Sequence, residues 1–441
     1  MEQRRKNLTQ LFIPICLETL LYMLSGMVDT LMLSSVNDQA VGAVGTANTY
    51  IGIFIIMFSV ISSGMVAVMT QNIGAGRPGV AYQARQLGLA FNAVLGIILS
   101  LILAFGAGTI LAGVGVADAL MQPARTYLQI VGGFCILNAL IPICSSYLRA
   151  FGFSKEPLYA SIIGNVINFC LNAFFLFVLH KGVAGVATAT VISRIINLVI
   201  VVMLGAVLVK AKQHPERESN REVMGQIIRI GLPSACETAI YNVSMTLVIR
   251  FLNQMDAQGL NVTARSYTMQ ITNFSYCVGA ALAQANAIMT GWRIGAKEYD
   301  ACDRGTRKAA IIGVIVAVIL ETMFALCSGW IMQLFSKDPQ MVSLVGKLLA
   351  IDIVLEMGRV TNLVYGQALK TSGDAVFPVV MGACFMILCL VGGTYLFGIR
   401  LGLLAVGAYI GMAGDECVRA VGMYLRWKSG KWKQKGLVKS R

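Results

Sequence analysis

The stretch Pro14-Ile15-Cys16-Leu17-Glu18-Thr19-Leu20-Leu21-Tyr22 returns 219 residues later as Pro233-Ser234-Ala235-Cys236-Glu237-Thr238-Ala239-Ile240-Tyr241. Aligning 11–33 with 230–252 gives six identities in 23 positions: Pro14/Pro233, Glu18/Glu237, Thr19/Thr238, Tyr22/Tyr241, Ser25/Ser244 and Leu33/Leu252. The repeat then continues at an offset of 221, where Gly74-Ala75 meets Gly295-Ala296, Arg149 meets Lys370, Gly152 meets Gly373 and Pro157 meets Pro378. The chain is therefore two copies of one unit.

What surrounds these motifs sets the fold class. Of 441 residues, 57% are hydrophobic and 13% charged, against roughly 25% charged in a soluble domain. A membrane-spanning helix needs about 20 apolar residues. Six windows (39–77, 85–118, 125–149, 156–181, 265–293 and 374–400) carry no charge between their ends. The first exceeds one span, so its leading part is expected in a loop. Six further spans carry charges: 11–34, 183–209, 231–254, 309–334, 340–368 and 402–426. The expectation is an all-α membrane protein of twelve transmembrane helices in two pseudo-symmetric lobes. Because each repeat holds an even number of spans, the two run parallel. The boundaries are an amino-terminal lobe at 1–209, a charge-rich cytoplasmic linker at 210–229, a carboxy-terminal lobe at 230–426 and a basic cytoplasmic tail at 427–441.

Lys and Arg orient the chain, since cytoplasmic loops carry an excess of both. With both termini inside, the inner segments hold 25 of the 35, the outer loops six, and the spans four. The net charge of +14 thus reflects topology rather than a nucleic-acid surface. Trp427 and Trp432, interleaved with lysines in the tail, read as an interfacial anchor against anionic lipid. The first apolar run is too long for a signal h-region and is expected to be a retained span.

Several chemistries are excluded. Eleven cysteines without a Cys-x-x-Cys pair suggest neither disulfides nor zinc, and read as small buried hydrophobes. Two histidines, His180 and His214, leave no basis for a Ser-His-Asp triad. No phosphate-binding Gly-rich loop is present, so NTP hydrolysis does not drive the protein. Asn261-Val262-Thr263 matches a glycosylation sequon on the expected outer side.

An ionised side chain mid-span costs about 2.5–3.5 kcal/mol on insertion scales, so each needs a reason. Asp415 and Arg419 neutralise each other at i, i+4, and Arg250 and, less easily, Glu321 can snorkel from span ends. Asp29 differs. Its repeat equivalent is Val248, and span 5 offers Asn165, Asn168 and Asn172, the last two on one helix face, whose equivalents are Phe385, Cys389 and Gly393. Spans 1 and 5 run the same way, placing Asp29 and Asn172 at comparable depth. Such a cluster can complete a small-cation site of hard oxygen ligands, take up protons, or form a hydrogen-bond clasp. In the second lobe Glu237 has no cation within four residues, which favours a cavity-facing role, and Glu356 with Arg359 at i+3 is either an ion pair or a functional pair. Among prolines, Pro142 alone is expected deep inside an apolar helix, where it permits a bend.

Pro14-Ile15-Cys16-Leu17-Glu18 leading to Met27-Val28-Asp29-Thr30-Leu31-Met32, then Asn72-Ile73-Gly74-Ala75-Gly76, Leu148-Arg149-Ala150-Phe151-Gly152 with Pro157, and Gly231-Leu232-Pro233, together resemble the multidrug and toxic compound extrusion (MATE) family over essentially the whole chain. The resemblance implies a secondary antiporter, not an enzyme. It would export amphipathic, often cationic compounds in exchange for Na⁺ or H⁺ by rocker-switch alternating access, without a cofactor, as a functional monomer in a bacterial cytoplasmic membrane. By position, Asp29 with Asn168, Asn172 and Thr190 (Thr188 being the rival) looks like the coupling site, with Asp29 and Asn172 as candidate Na⁺ ligands. Glu237, Glu356, Arg359, Tyr22 and Tyr241 look like the substrate cavity. A second reading is a lipid-linked oligosaccharide flippase of the same superfamily, whose cavity would be strongly cationic.

Overall fold

The computed structural model describes residues 6–35, 38–113, 116, 118–210, 214–256, 259–333 and 335–438. The first five residues of the chain, part of the 210–229 linker and the end of the tail, all assigned roles above, lie outside them.

The described residues are almost entirely helical. Six helices build the first repeat: α1 (Leu8–Ser34), α2 (Asp38–Gly74), α3 (Pro78–Gly113), α4 (Asp118–Tyr127, resuming at Ile136–Ala150), α5 (Lys155–Ala173) and α6 (Gly182–Leu208). Six build the second: α7 (Asn220–Met255), α8 (Leu260–Gly295), α9 (Tyr299–Leu326), α10 (Pro339–Thr371), α11 (Val376–Phe385, wound on as π-helix) and α12 (Leu404–Lys428). The chain divides into two compact units at Gly231/Leu232. Seven helices, or eight counting the bent α4, are long and apolar enough to cross a bilayer by length and composition. Among the rest, α7, α10 and α12 each carry embedded charges.

Each unit has its own core. In the first, Ala43, Ala47 and Ile51 of α2 and Leu99, Leu103, Ala107 and Leu111 of α3 recur every four residues and pack with Tyr127 of α4 and with Val131 in the π-helical turn that follows it. This spacing puts each set on one helix face. It also explains why the leading part of window 39–77 is helix rather than loop: its small residues bury against α3 and α4, and no proline interrupts it. In the second unit, Val248 and Leu252 of α7, Leu348 and Leu355 of α10, and Tyr409 and Met412 of α12 share the core. Glycine sets the α11–α12 approach, because a Cβ on Gly411 would lie 2.8 Å from the Thr394 nitrogen and 2.9 Å from the Gly393 carbonyl carbon.

Two proline expectations change. The bend in α4 is 43° and falls between Gly132 and Ile136, upstream of Pro142, where Gly132 and Gly133 offer the least resistance. Pro142 is also not the sole deep proline: α7 begins at Asn220 inside the linker, which leaves Pro233 more than three turns into that helix.

The tail departs from an interfacial anchor. Trp427 and Trp432 are 2% and 1% exposed and stack with ring centroids 4.1 Å apart. Trp427 Nε1 donates to Asp303 at 2.9 Å, and Trp432 Nε1 to the Trp427 carbonyl at 2.9 Å. Gly430, at φ +70°, turns the chain so that residues 431–434 fold back as a 3₁₀ turn. The Asn261 sequon also fails on burial. That side chain is 2% exposed, donates to Asp256 and accepts from the Ala405 amide at 3.1 Å. The cysteines are all free among the described residues, but Cys170, Cys236, Cys327 and Cys384 are exposed on the chain rather than buried.

Candidate functional site

In the amino-terminal unit, α1 and α5 pack together and bring Asp29 against the span 5 amides. Asn172 Nδ2 donates to Asp29 Oδ1 at 2.7 Å and to Asn168 Oδ1 at 3.2 Å. Asn172 is fully buried, Asn168 nearly so, and Asp29 half-buried. Asn172 Oδ1 is buried with no hydrogen-bond partner among the described residues. A native interior rarely leaves such an acceptor orphaned without a use for it. Arg194 on α6 acts electrostatically on Asp29.

The threonine hydroxyls donate elsewhere. Thr190 donates its hydroxyl to the Val186 carbonyl at 2.9 Å, and Thr188 to the Ala184 carbonyl at 2.8 Å. Each hydroxyl bonds back to its own helix, a habit of mid-helix threonines that sequence position does not reveal. Tyr22 is 70% exposed, whereas its repeat partner Tyr241 lines a cavity.

That cavity, about 450 Å³, lies wholly within the carboxy-terminal unit and is bounded by Glu237, Tyr241, Tyr276, Asp352, Arg359, Lys370, Glu416 and Arg419, among others. Glu237 does face it, but not alone: Lys370 Nζ sits 2.6 Å from Glu237 Oε2. The amino-terminal unit holds the same pair, with Arg149 2.6 Å from Glu18. Both partners had been aligned by the repeat, so the pairing was latent in the sequence. Four-residue spacing does not reveal it, because the partners lie on the first and fourth helices of each unit.

Arg359 bonds Glu356 and reaches Glu416 Oε1 at 3.4 Å. Arg419 pairs with Asp415 at 2.6 Å and with Glu416 at 2.9 Å, and Asn362 donates to Glu416 Oε2 at 3.0 Å. Glu416 therefore joins the two guanidinium groups, a role that four-residue spacing on α12 could not show. Glu321 corrects its expectation: it is fully buried rather than snorkelling, because α9 turns that face toward α8 and α10. Arg250 is exposed.

The MatE family profile matches residues 14–174 and 233–396, one copy in each repeat. The chain belongs to the MATE family. It is 34% identical over 431 residues to the uncharacterized transporter YisQ of Bacillus subtilis, covering 96% of this chain and 94% of YisQ. It is 24% identical to the probable multidrug resistance protein NorM of Thermotoga maritima, covering 98% and 94%. A solved outward-facing multidrug resistance MATE family transporter of the MOP superfamily superposes with a TM-score of 0.86 at 18% identity, covering 98% and 96%. This MATE chain is thus an integral membrane transporter with the twelve-helix, two-lobe fold, and not an enzyme.

Proposed function

We propose that this MATE transporter exports amphipathic, often cationic small molecules in exchange for Na⁺ or H⁺, with Asp29 as the coupling carboxylate. The observation that carries this reading is the Asp29–Asn172–Asn168 chain with the orphaned Asn172 Oδ1. One carboxylate and two amide oxygens on adjacent helices form a donor set of hard oxygens that suits Na⁺. The same carboxylate, neutralised by a proton, would release its hold on Asn172. Either event changes the α1–α5 contact. Coupling requires that the occupied and empty forms favour different access states, as rocker-switch alternating access demands.

The cavity of the carboxy-terminal lobe supports export over flipping of an anionic lipid-linked sugar. Its lining acids Glu237, Asp352 and Glu416 match its cations Arg359, Lys370 and Arg419 in number, and Tyr241 and Tyr276 add aromatic faces suited to cationic ligands. We place the protein as a monomer in a bacterial cytoplasmic membrane with both termini inside, on the Lys/Arg asymmetry and the resemblance. Proteoliposomes loaded with a fluorescent organic cation test the reading under a Na⁺ gradient and then a pH gradient. Export driven by one of them is expected. Transport of a lipid-linked sugar with no cation export under either gradient would overturn it.

A further inference from the structure

The cavity accounts for Glu237, Glu416 and the two arginines, but it leaves a buried carboxyl behind its wall. Glu321 of α9 is fully buried, and both of its carboxyl oxygens lack a hydrogen-bond partner among the described residues. Asp352 of α10 is 2% exposed with Oδ2 also unpartnered, and it lines the cavity. Ser275 of α8 is 1% exposed and presents its hydroxyl to the Glu321 carboxyl without closing a hydrogen bond. The groups that act on Glu321 are Asp352, Glu356 and Arg359 from α10 and Ser275 from α8. Those that act on Asp352 are Arg359, Glu356 and, from α12, Glu416. Tyr409 of α12 is acted on by both Asp352 and, from α8, Arg265.

The arginine that acts on both acids is already committed. Arg359 serves Glu356 and Glu416, and Arg419 serves Asp415 and Glu416. Among the described residues Asp352 and Glu321 remain without a direct ion-pair partner. Ionised, each is a buried charge lacking its own counterion, whereas a neutral carboxylic acid buries at far lower cost and can donate to Ser275. Two buried carboxyl groups with unpartnered oxygens suit the binding of a proton, which removes the buried charge and supplies a donor.

We propose that Glu321 is a proton-binding site of the carboxy-terminal lobe, loaded from the cavity through Asp352 and steadied by the Ser275 hydroxyl. Cavity water gives a proton to Asp352, which passes it to the Glu321 carboxylate to form a carboxylic acid; release returns it by the same route. The site is separate from Asp29 and stands whether or not Asp29 couples transport.

Infrared difference spectroscopy on the purified, reconstituted protein, titrated between about pH 5 and 9, tests it. A protonated-carboxyl band that comes and goes with pH is expected. It should be lost in Glu321→Gln, retained in Asp29→Asn and shifted in frequency in Ser275→Ala. Should Glu321→Gln fail to fold, Glu321→Asp keeps the acid and must show the band displaced. A titrating band that Glu321→Gln and Glu321→Asp leave unaltered, or a Glu321 signal that does not change across the range, would overturn the proposal.

Discussion

Glu237 and Lys370 allow the repeat to be tested as energy rather than as alignment. At 2.6 Å and an effective dielectric of about 20, the direct attraction is about 6 kcal/mol, much of it offset by desolvation. Each side chain is 15% exposed, so the pair is neither dry nor at the surface. Removing one partner strands the other charge, which costs about 3–5 kcal/mol in buried pairs. Here residual solvent access places Lys370→Met and Glu237→Gln at about 2–3 kcal/mol each. The double variant, which strands nothing, should lose less than the sum, with a coupling energy of about 2 kcal/mol. Lys370→Arg should be nearly neutral, since Arg149 occupies the equivalent place opposite Glu18. Unfolding in mixed micelles gives all four values, and the Glu18/Arg149 cycle should repeat them. A coupling within the 0–1 kcal/mol typical of exposed pairs in both lobes would show that the repeated contact is incidental.

Three further outcomes follow from the packing. Asp256 accepts from the Leu260 amide at 2.9 Å and the Asn261 amide at 3.0 Å, capping α8. Burial pushes its carboxyl up, but the Asn261 and Leu260 donors outweigh this and hold it below the usual range. Asp256→Ala should therefore cost about 1–2 kcal/mol at neutral pH, and the difference from wild type should vanish as pH falls through the depressed folded-state value; a pH-independent difference contradicts the cap. Gly411→Leu should prevent accumulation of folded protein, because the new side chain meets α11 backbone rather than movable side chains; normal expression would refute that close approach. Trp432→Ala should lower stability by about 3 kcal/mol, read by thermal unfolding in detergent, whereas a lipid-facing tryptophan would alter membrane partitioning and leave unfolding unchanged.

The two-lobe fold was legible because hydropathy and the repeat report it independently. Asp29 with Asn168 and Asn172 was legible because three polar residues on two neighbouring apolar helices have few places to go. What escaped was set by tertiary packing between distant segments. Glu18–Arg149 and Glu237–Lys370 span more than 130 residues. The position of Glu321 depends on the rotation of α9, which no local pattern reports. Trp432 is buried because Gly430 reverses the chain, a turn that a basic tail does not announce. Asp352, Glu356 and Arg359 do share a face at i, i+4 and i+7, but only the neighbouring α8, α9 and α12 reveal which carboxyls keep a counterion.

Drug-stimulated ion flux in proteoliposomes containing Asp29→Asn tests the central claim most directly. The account expects the variant to reach the membrane and bind substrate but to lose coupled Na⁺ or H⁺ movement together with gradient-driven export. Coupled flux at the wild-type rate in a variant with no carboxylate at that position would contradict it.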